Sequence, residues 1–85
     1  MSIPKVSIRQ IKAARALLGW AQVDLARASE VSIPTVKRLE ADDGEVGGRA
    51  DTASRLVGAL EAAGVEFIAE NSGGVGVLLK KEGPA

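Results

Sequence analysis

The sequence predicts a mainly α domain, four helices followed by a C-terminal β-hairpin. Three observations predict it. Apolar residues recur at helical spacing in successive stretches up to Gly64. The period changes to two from Val65 onward, around a central Asn-Ser-Gly-Gly turn. The length of 85 residues, with 46% apolar and 26% charged, suits one small folded, soluble domain with a thin core.

Each element has a local cause. Ser7 opens the first helix, and Gln10 three residues later completes a capping-box pattern. Ile8, Ile11, Ala14, Leu17 and Leu18 form its apolar stripe, and Gly19 is the natural stop, so the helix spans roughly 7–18. Gln22 to Ser29 reads as a short second helix with Leu25 and Ala26 turned inward. Ser32 is a good N-cap for a third helix reaching about Ala41, with Pro34 in its first turn and Val36 and Leu39 facing inward. Asp42 to Gly48 has no periodicity and three glycines, so it reads as a loop. Asp51 or Thr52 caps a fourth helix of about twelve residues, with Ala53, Leu56, Val57, Leu60 and Ala63 on one face and Gly64 ending it. Val65, Phe67 and Ala69 then alternate with polar or outward positions, as do Val75, Val77 and Leu79 beyond the turn.

Composition excludes whole classes of chemistry. Cysteine and histidine are absent, which removes disulfides, Cys/His zinc sites, thiol nucleophiles and histidine-based triads. Trp20 and Phe67 are the only aromatic residues, too few for stacking single-stranded nucleic acid. The spacing of Asp42, Asp43 and Glu45 fits no calcium loop. Gly73-Gly74-Val75-Gly76 lacks the lysine and following helix of a phosphate-binding loop. No cofactor is expected, and no metal. No apolar run approaches the roughly 20 residues of a membrane helix, and no signal peptide is visible. The expectation is a cytoplasmic, non-enzymatic module.

Charge is unevenly placed. Residues 1–40 carry seven basic and three acidic side chains, a balance of +4. The remainder carries four basic and eight acidic, a balance of −4, so the net charge is zero. A basic half joined to an acidic half fits a domain whose first half faces nucleic acid.

The informative unit runs from Gln22 to Glu40, QVDLARASEVSIPTVKRLE. Two short helices are joined by about three residues. Ala26 lets them cross closely, Val31 plugs the corner, and Val36 and Leu39 hold the second helix to the core. The opposite face of that helix is then free to enter a major groove.

On these residues the chain resembles the Cro and phage-repressor type of helix-turn-helix, the XRE family. The carriers are Arg15-Ala16-Leu17-Leu18-Gly19-Trp20, Gln22, Leu25-Ala26, Val31-Ser32, Val36 and Leu39-Glu40, and the likeness covers roughly Ile8 to Val65. It implies a four-helix, lambda-repressor-like domain over residues 1–64, with the helix-turn-helix unit at 22–41 and the hairpin at 65–85. It also implies that Gln22 and Ser32 meet the DNA backbone, and that Ile33, Pro34, Thr35, Lys37 and Arg38 form the exposed reading face. Arg38 is the best placed for guanine O6 and N7, while Ile33 or the Thr35 methyl suits a thymine methyl. Arg15 and Glu40 match a structural interhelical salt bridge. Three departures stand out: Glu30 where the family favours Gly in the turn, Ala21 where a capping side chain is common, and Asp42-Asp43 where basic residues often grip phosphate. Of these last positions only Arg49 offers compensation.

The hairpin suggests a partner. Its alternation gives one apolar face, with Val65, Phe67, Val75, Val77 and Leu79 as the dimerisation candidates. A lone two-stranded hairpin is marginal in water, so pairing of two chains into a shared sheet is expected. The competing arrangement has the hairpin covering its own helices in a monomer. The functional expectation is a sequence-specific transcriptional regulator of bacterial or phage type, a dimeric repressor on a palindromic operator, with no spare domain to recruit polymerase. An antitoxin paired with a toxin, or a protein-interaction module on the same fold, are the alternatives.

Overall fold

A computed structural model describes residues 6–41, 50–68 and 73–80. The expected loop at Asp42 to Gly48, with its acidic cluster, lies outside them, as do Arg49 and Ala69 to Ser72. The elements run α1 (Ile8–Leu18), α2 (Gln22–Ser29), α3 (Ile33–Ala41), α4 (Ala50–Ala62), β1 (Val65–Ile68) and β2 (Gly76–Leu79).

Helix α1 begins with the predicted capping box. The Ser7 hydroxyl accepts the Gln10 N–H at 3.1 Å, and Gln10 Oε1 accepts the Ser7 N–H at 2.9 Å. Gly19 ends the helix in the left-handed region, at φ 70°, and its N–H reaches the Ala16 carbonyl at 3.0 Å. Leu17 departs from the predicted stripe. It is exposed, because the inward arc of α1 is already filled by Ile8, Ile11 and Ala14.

Helix α2 starts without a capping side chain at Ala21, yet its first turn is not bare. The Asp24 carboxylate reaches back to accept the Ala21 N–H at 2.8 Å, the reciprocal half of a capping box. Its negative charge also sits at the positive end of the helix dipole. Helix α4 begins one residue before the expected caps, so Asp51 and Thr52 lie inside its first turn rather than ahead of it.

The core gathers Val6, Ile11, Ala14, Leu25, Ala26, Val36, Leu56, Val57, Leu60 and Val65, each buried. Trp20, Val31 and Leu39 pack against it half-buried. Strands β1 and β2 form an antiparallel pair with Val65 opposite Leu79 and Phe67 opposite Val77. Those four share one face of the hairpin. Val65 lies fully in the core, and Phe67 and Val77 pack against it. Three of the dimerisation candidates, Val65, Phe67 and Val77, therefore pack against the chain's own core. The hairpin packs on α1 through β2 and on α4 through β1, and Val65 joins Ile11 and Leu60 in one buried cluster. Outward lie Glu66, Ile68 and Leu78, with Val75 and Leu79 at the rim, and the four apolar ones are each at least 38% exposed.

Gln10 ties the hairpin down. Its amide Nε2, buried with the rest of the side chain, donates to the Ile68 carbonyl at 3.2 Å and the Gly76 carbonyl at 3.0 Å. Ile68 and Gly76 are cross-strand partners. One side chain therefore caps α1 and fixes both strands against it.

Candidate nucleic-acid interface

Helices α2 and α3 meet through a sharp turn at Glu30 to Ser32. Glu30 has φ 62° and ψ 31°, the left-handed conformation that glycine adopts more cheaply. Its N–H and that of Val31 both return to the Ala26 carbonyl, the latter at 3.2 Å. Arg55 of α4 adds a hydrogen bond from Nη1 to the Glu30 carbonyl at 3.3 Å. The turn is therefore held from both sides despite its non-glycine residue.

Helix α3 is anchored on one face. Val36 and Glu40 are buried and Leu39 is half-buried. At about 100° per residue, Pro34 and Arg38 then point away from the core, and Thr35 and Lys37 lie on opposite flanks. Ile33, Pro34, Lys37 and Arg38 are exposed, and Thr35 is half-buried. Among the described residues, neither Lys37 nor Arg38 has a hydrogen-bond or ion-pair partner. Ser32 caps the helix: its hydroxyl accepts the Thr35 N–H at 3.3 Å, and its carbonyl accepts the Val36 N–H at 3.0 Å.

A three-helix ion-pair network fixes the orientation of this face. Arg15 of α1 donates from Nε to Glu40 Oε2 at 2.9 Å and from Nη2 to Glu40 Oε1 at 2.8 Å, a bidentate fork. Its Nη1 reaches the Trp20 carbonyl at 2.8 Å. Gln22, the first residue of α2, completes the set by donating from Nε2 to Glu40 Oε1 at 2.9 Å. A single carboxylate thus joins α1, α2 and α3.

A family model described as helix-turn-helix matches residues 11–61, more than half of the chain. The chain belongs to the helix-turn-helix family. The match is to the Cro and repressor type, the XRE family, whose members are DNA-binding transcriptional regulators. No curated protein and no solved structure matches the chain. Helices α2 and α3 lie within the matched residues, and α1 and α4 pack against them. Among the described residues no helix is long and apolar enough to cross a membrane.

Three polar side chains of the fold make contacts that carry no local sequence signal. Gln10 was legible only as a cap, since nothing local reveals a contact 58 and 66 residues away. Arg55 looks like an ordinary exposed charge on α4. The link from Gln22 to Glu40 is equally hidden, because a phosphate contact at the start of α2 already accounts for the residue. Its 18-residue separation from Glu40 carries no periodic signal.

Proposed function

We propose that the protein is a sequence-specific repressor that binds a roughly palindromic operator as a homodimer. The observation that carries the reading is the state of α3. It is locked to the core through Val36, Leu39 and Glu40, and its outward face offers Arg38 and Lys37 with no partner among the described residues. A cationic fork facing outward from a helix packed on the core is what guanine recognition in a major groove requires.

The remaining roles follow from position. Gln22 keeps its second amide proton and its carbonyl oxygen after serving Glu40, and stands at the start of α2, where a phosphate is favoured. Ser32 stands at the start of α3, beside the backbone. Ile33 and Pro34 supply apolar contact. Lys37 lies on the flank away from Thr35 and suits a phosphate. Occupying a promoter is sufficient for repression.

The dimer is supported by dimensions. The domain measures 32 × 32 × 24 Å and carries one reading helix. A second half-site about 34 Å away, one DNA turn, needs a second copy. The hairpin supplies exposed apolar residues for it. Of the residues first assigned to the interface, Val75 and Leu79 remain accessible, and Ile68 and Leu78 join them.

Selection of bound duplexes from a random library tests the reading. A motif with two half-sites about one turn apart is expected. Arg38→Ala should cost about 1–3 kcal/mol on the selected duplex and relax one base pair. An equal loss on every sequence would place Arg38 on phosphate. Sedimentation at micromolar concentration tests the dimer, and a mass near 8.7 kDa would refute it.

A further inference from the structure

The hairpin has two strand edges, and the phase of its hydrogen bonds fixes what each edge offers. The Lys80 N–H donates to the Gly64 carbonyl at 2.9 Å, just beyond the paired strands. Antiparallel partners alternate between hydrogen-bonded and non-hydrogen-bonded pairs. Glu66 with Leu78 and Ile68 with Gly76 are therefore the bonded pairs. It follows that the N–H and C=O groups of Val65 and Phe67 point away from β2, and those of Val77 and Leu79 point away from β1. No other described residue bonds to the Val77 or Leu79 backbone.

The two edges differ in character. Strand β1 carries the exposed Glu66, and its Val65 is buried in the core. Strand β2 has no charged residue from Gly76 to Leu79. Leu78 and Leu79 are 47% and 38% exposed, and Val75 just ahead of them is 55% exposed. A strand edge left to water is normally guarded by charge, by proline or by a covering element. Along β2 there is instead a groove of about 220 Å³ with a mostly apolar surface, bounded by Ala13 of α1 and by Val75 and Val77.

We infer that the β2 edge is the dimer seam: β2 of a second copy pairs with it, antiparallel, across a two-fold axis at Leu78. This rests on the homodimer reading. Val77 and Leu79 are the β2 residues with outward backbone groups. Reciprocal pairing of Val77 with the partner's Leu79 uses all of those groups, in about four hydrogen bonds. Leu78 then meets the partner's Leu78 on the outward face, in a non-hydrogen-bonded pair with Cα atoms about 4.5 Å apart. On the inner face the partner's Leu79 lies beside Val77, at the groove. Lys80 falls opposite the partner's Gly76, so no like charges are opposed. The equivalent register through β1 sets Glu66 against its own copy, which is unfavourable.

The chain contains no cysteine, so a single introduced thiol reports on one position. Leu78→Cys places two thiols on the axis, within the Cα separation of about 4.4–6.8 Å that a disulfide spans. Glu66→Cys lies on the same face but one strand further out. Across the shared sheet its two copies stand three strand spacings apart, about 14 Å. Both side chains are exposed, so neither substitution opens the core. Each full-length variant is treated with oxidised glutathione, and its dimer fraction is measured by sedimentation in the reduced form, so that cross-linking is compared per dimer.

Leu78→Cys should form a covalent species of twice 8.7 kDa at least about tenfold faster than Glu66→Cys. A natural chain that sediments as a dimer, with Leu78→Cys no faster than Glu66→Cys, overturns the β2 seam and leaves the homodimer standing. Faster cross-linking of Glu66→Cys moves the seam to β1 and overturns the inference equally. A natural chain that sediments near 8.7 kDa at micromolar concentration overturns the homodimer reading, and this inference with it.

Discussion

Replacing Glu40 with alanine tests whether the three-helix network holds the reading helix in place. The Glu40 side chain is 4% exposed and accepts three hydrogen bonds, two from Arg15 and one from Gln22. Truncating it leaves the Arg15 guanidinium without its counter-ion. Removing one partner of a buried pair costs about 3–5 kcal/mol, because the remaining charge stays desolvated. Arg15 is 21% exposed and keeps its bond to the Trp20 carbonyl, which places the loss at the low end, about 3 kcal/mol. A domain of this size has roughly 4–13 kcal/mol in total. The melting temperature should therefore fall by about 12–24 °C.

Urea denaturation followed by Trp20 fluorescence is the assay. Trp20 is the only tryptophan, half-buried, and its carbonyl is bonded to Arg15, so its signal reports the network directly. The double variant Arg15→Met with Glu40→Leu removes both charges together. It should recover to within about 1 kcal/mol of the natural chain, since apolar replacements of a whole buried pair are close to neutral. A loss below about 1 kcal/mol for Glu40→Ala would refute the desolvation argument. So would a double variant as unstable as the single one.

Four further outcomes follow from the same geometry. Gln10→Leu removes a bond to Ser7 and two to the hairpin carbonyls; about 2 kcal/mol should be lost after the gain from burying leucine. Hydrogen exchange should then show β1 and β2 losing protection before the helices. Glu30→Gly relieves the left-handed strain and should stabilise by about 0.5–1 kcal/mol, read as a raised urea midpoint with an unchanged slope. Leu60→Ala, at a side chain with no exposure, should cost about 2–5 kcal/mol in the same assay. Arg55→Ala removes one exposed bond of 3.3 Å to the Glu30 turn and should change stability by no more than about 0.5 kcal/mol, read as the urea midpoint.

The legible parts of the molecule are those with a local physical cause. The α1 capping box needs Ser7 and Gln10 three residues apart, and a left-handed stop needs Gly19. The limits of α2 and α3 follow from the same kind of short-range chemistry. The apolar alternation of the hairpin was equally visible, but the surface it faced was not. Val65, Phe67 and Val77 form a good apolar stripe whether it meets a second chain or the chain's own helices. In the folded chain Val65, Phe67 and Val77 pack against the core that holds Ile11 and Leu60. Long-range polar contacts were the least visible. Gln10 serves a local cap and a distant hairpin with different atoms of one amide, and the local role accounts for the residue so well that nothing signals the second. Asp24 compensated for Ala21 from the other end of the same motif.

Zero net charge argues against DNA only if charge is counted without regard to place. Residues 1–40 contain three acidic side chains. Glu40 is enclosed by Arg15 and Gln22, and the Asp24 carboxylate is held at the start of α2 by the Ala21 N–H. Only Glu30, on the turn, stands exposed without a constraint on its carboxylate among the described residues. Arg38 and Lys37, by contrast, have nothing to neutralise them there. Among the described residues, the carboxylates of Glu40 and Asp24 are thus engaged within the fold, while the side chains of Arg38 and Lys37 are not. Phosphates respond to that local field, since charges more than about 10 Å apart at the surface are screened at 0.1 M salt. The salt dependence of binding should accordingly follow the number of phosphates neutralised at this face, about 0.9 per contact in a log–log slope. The overall charge of the chain should have little part in it.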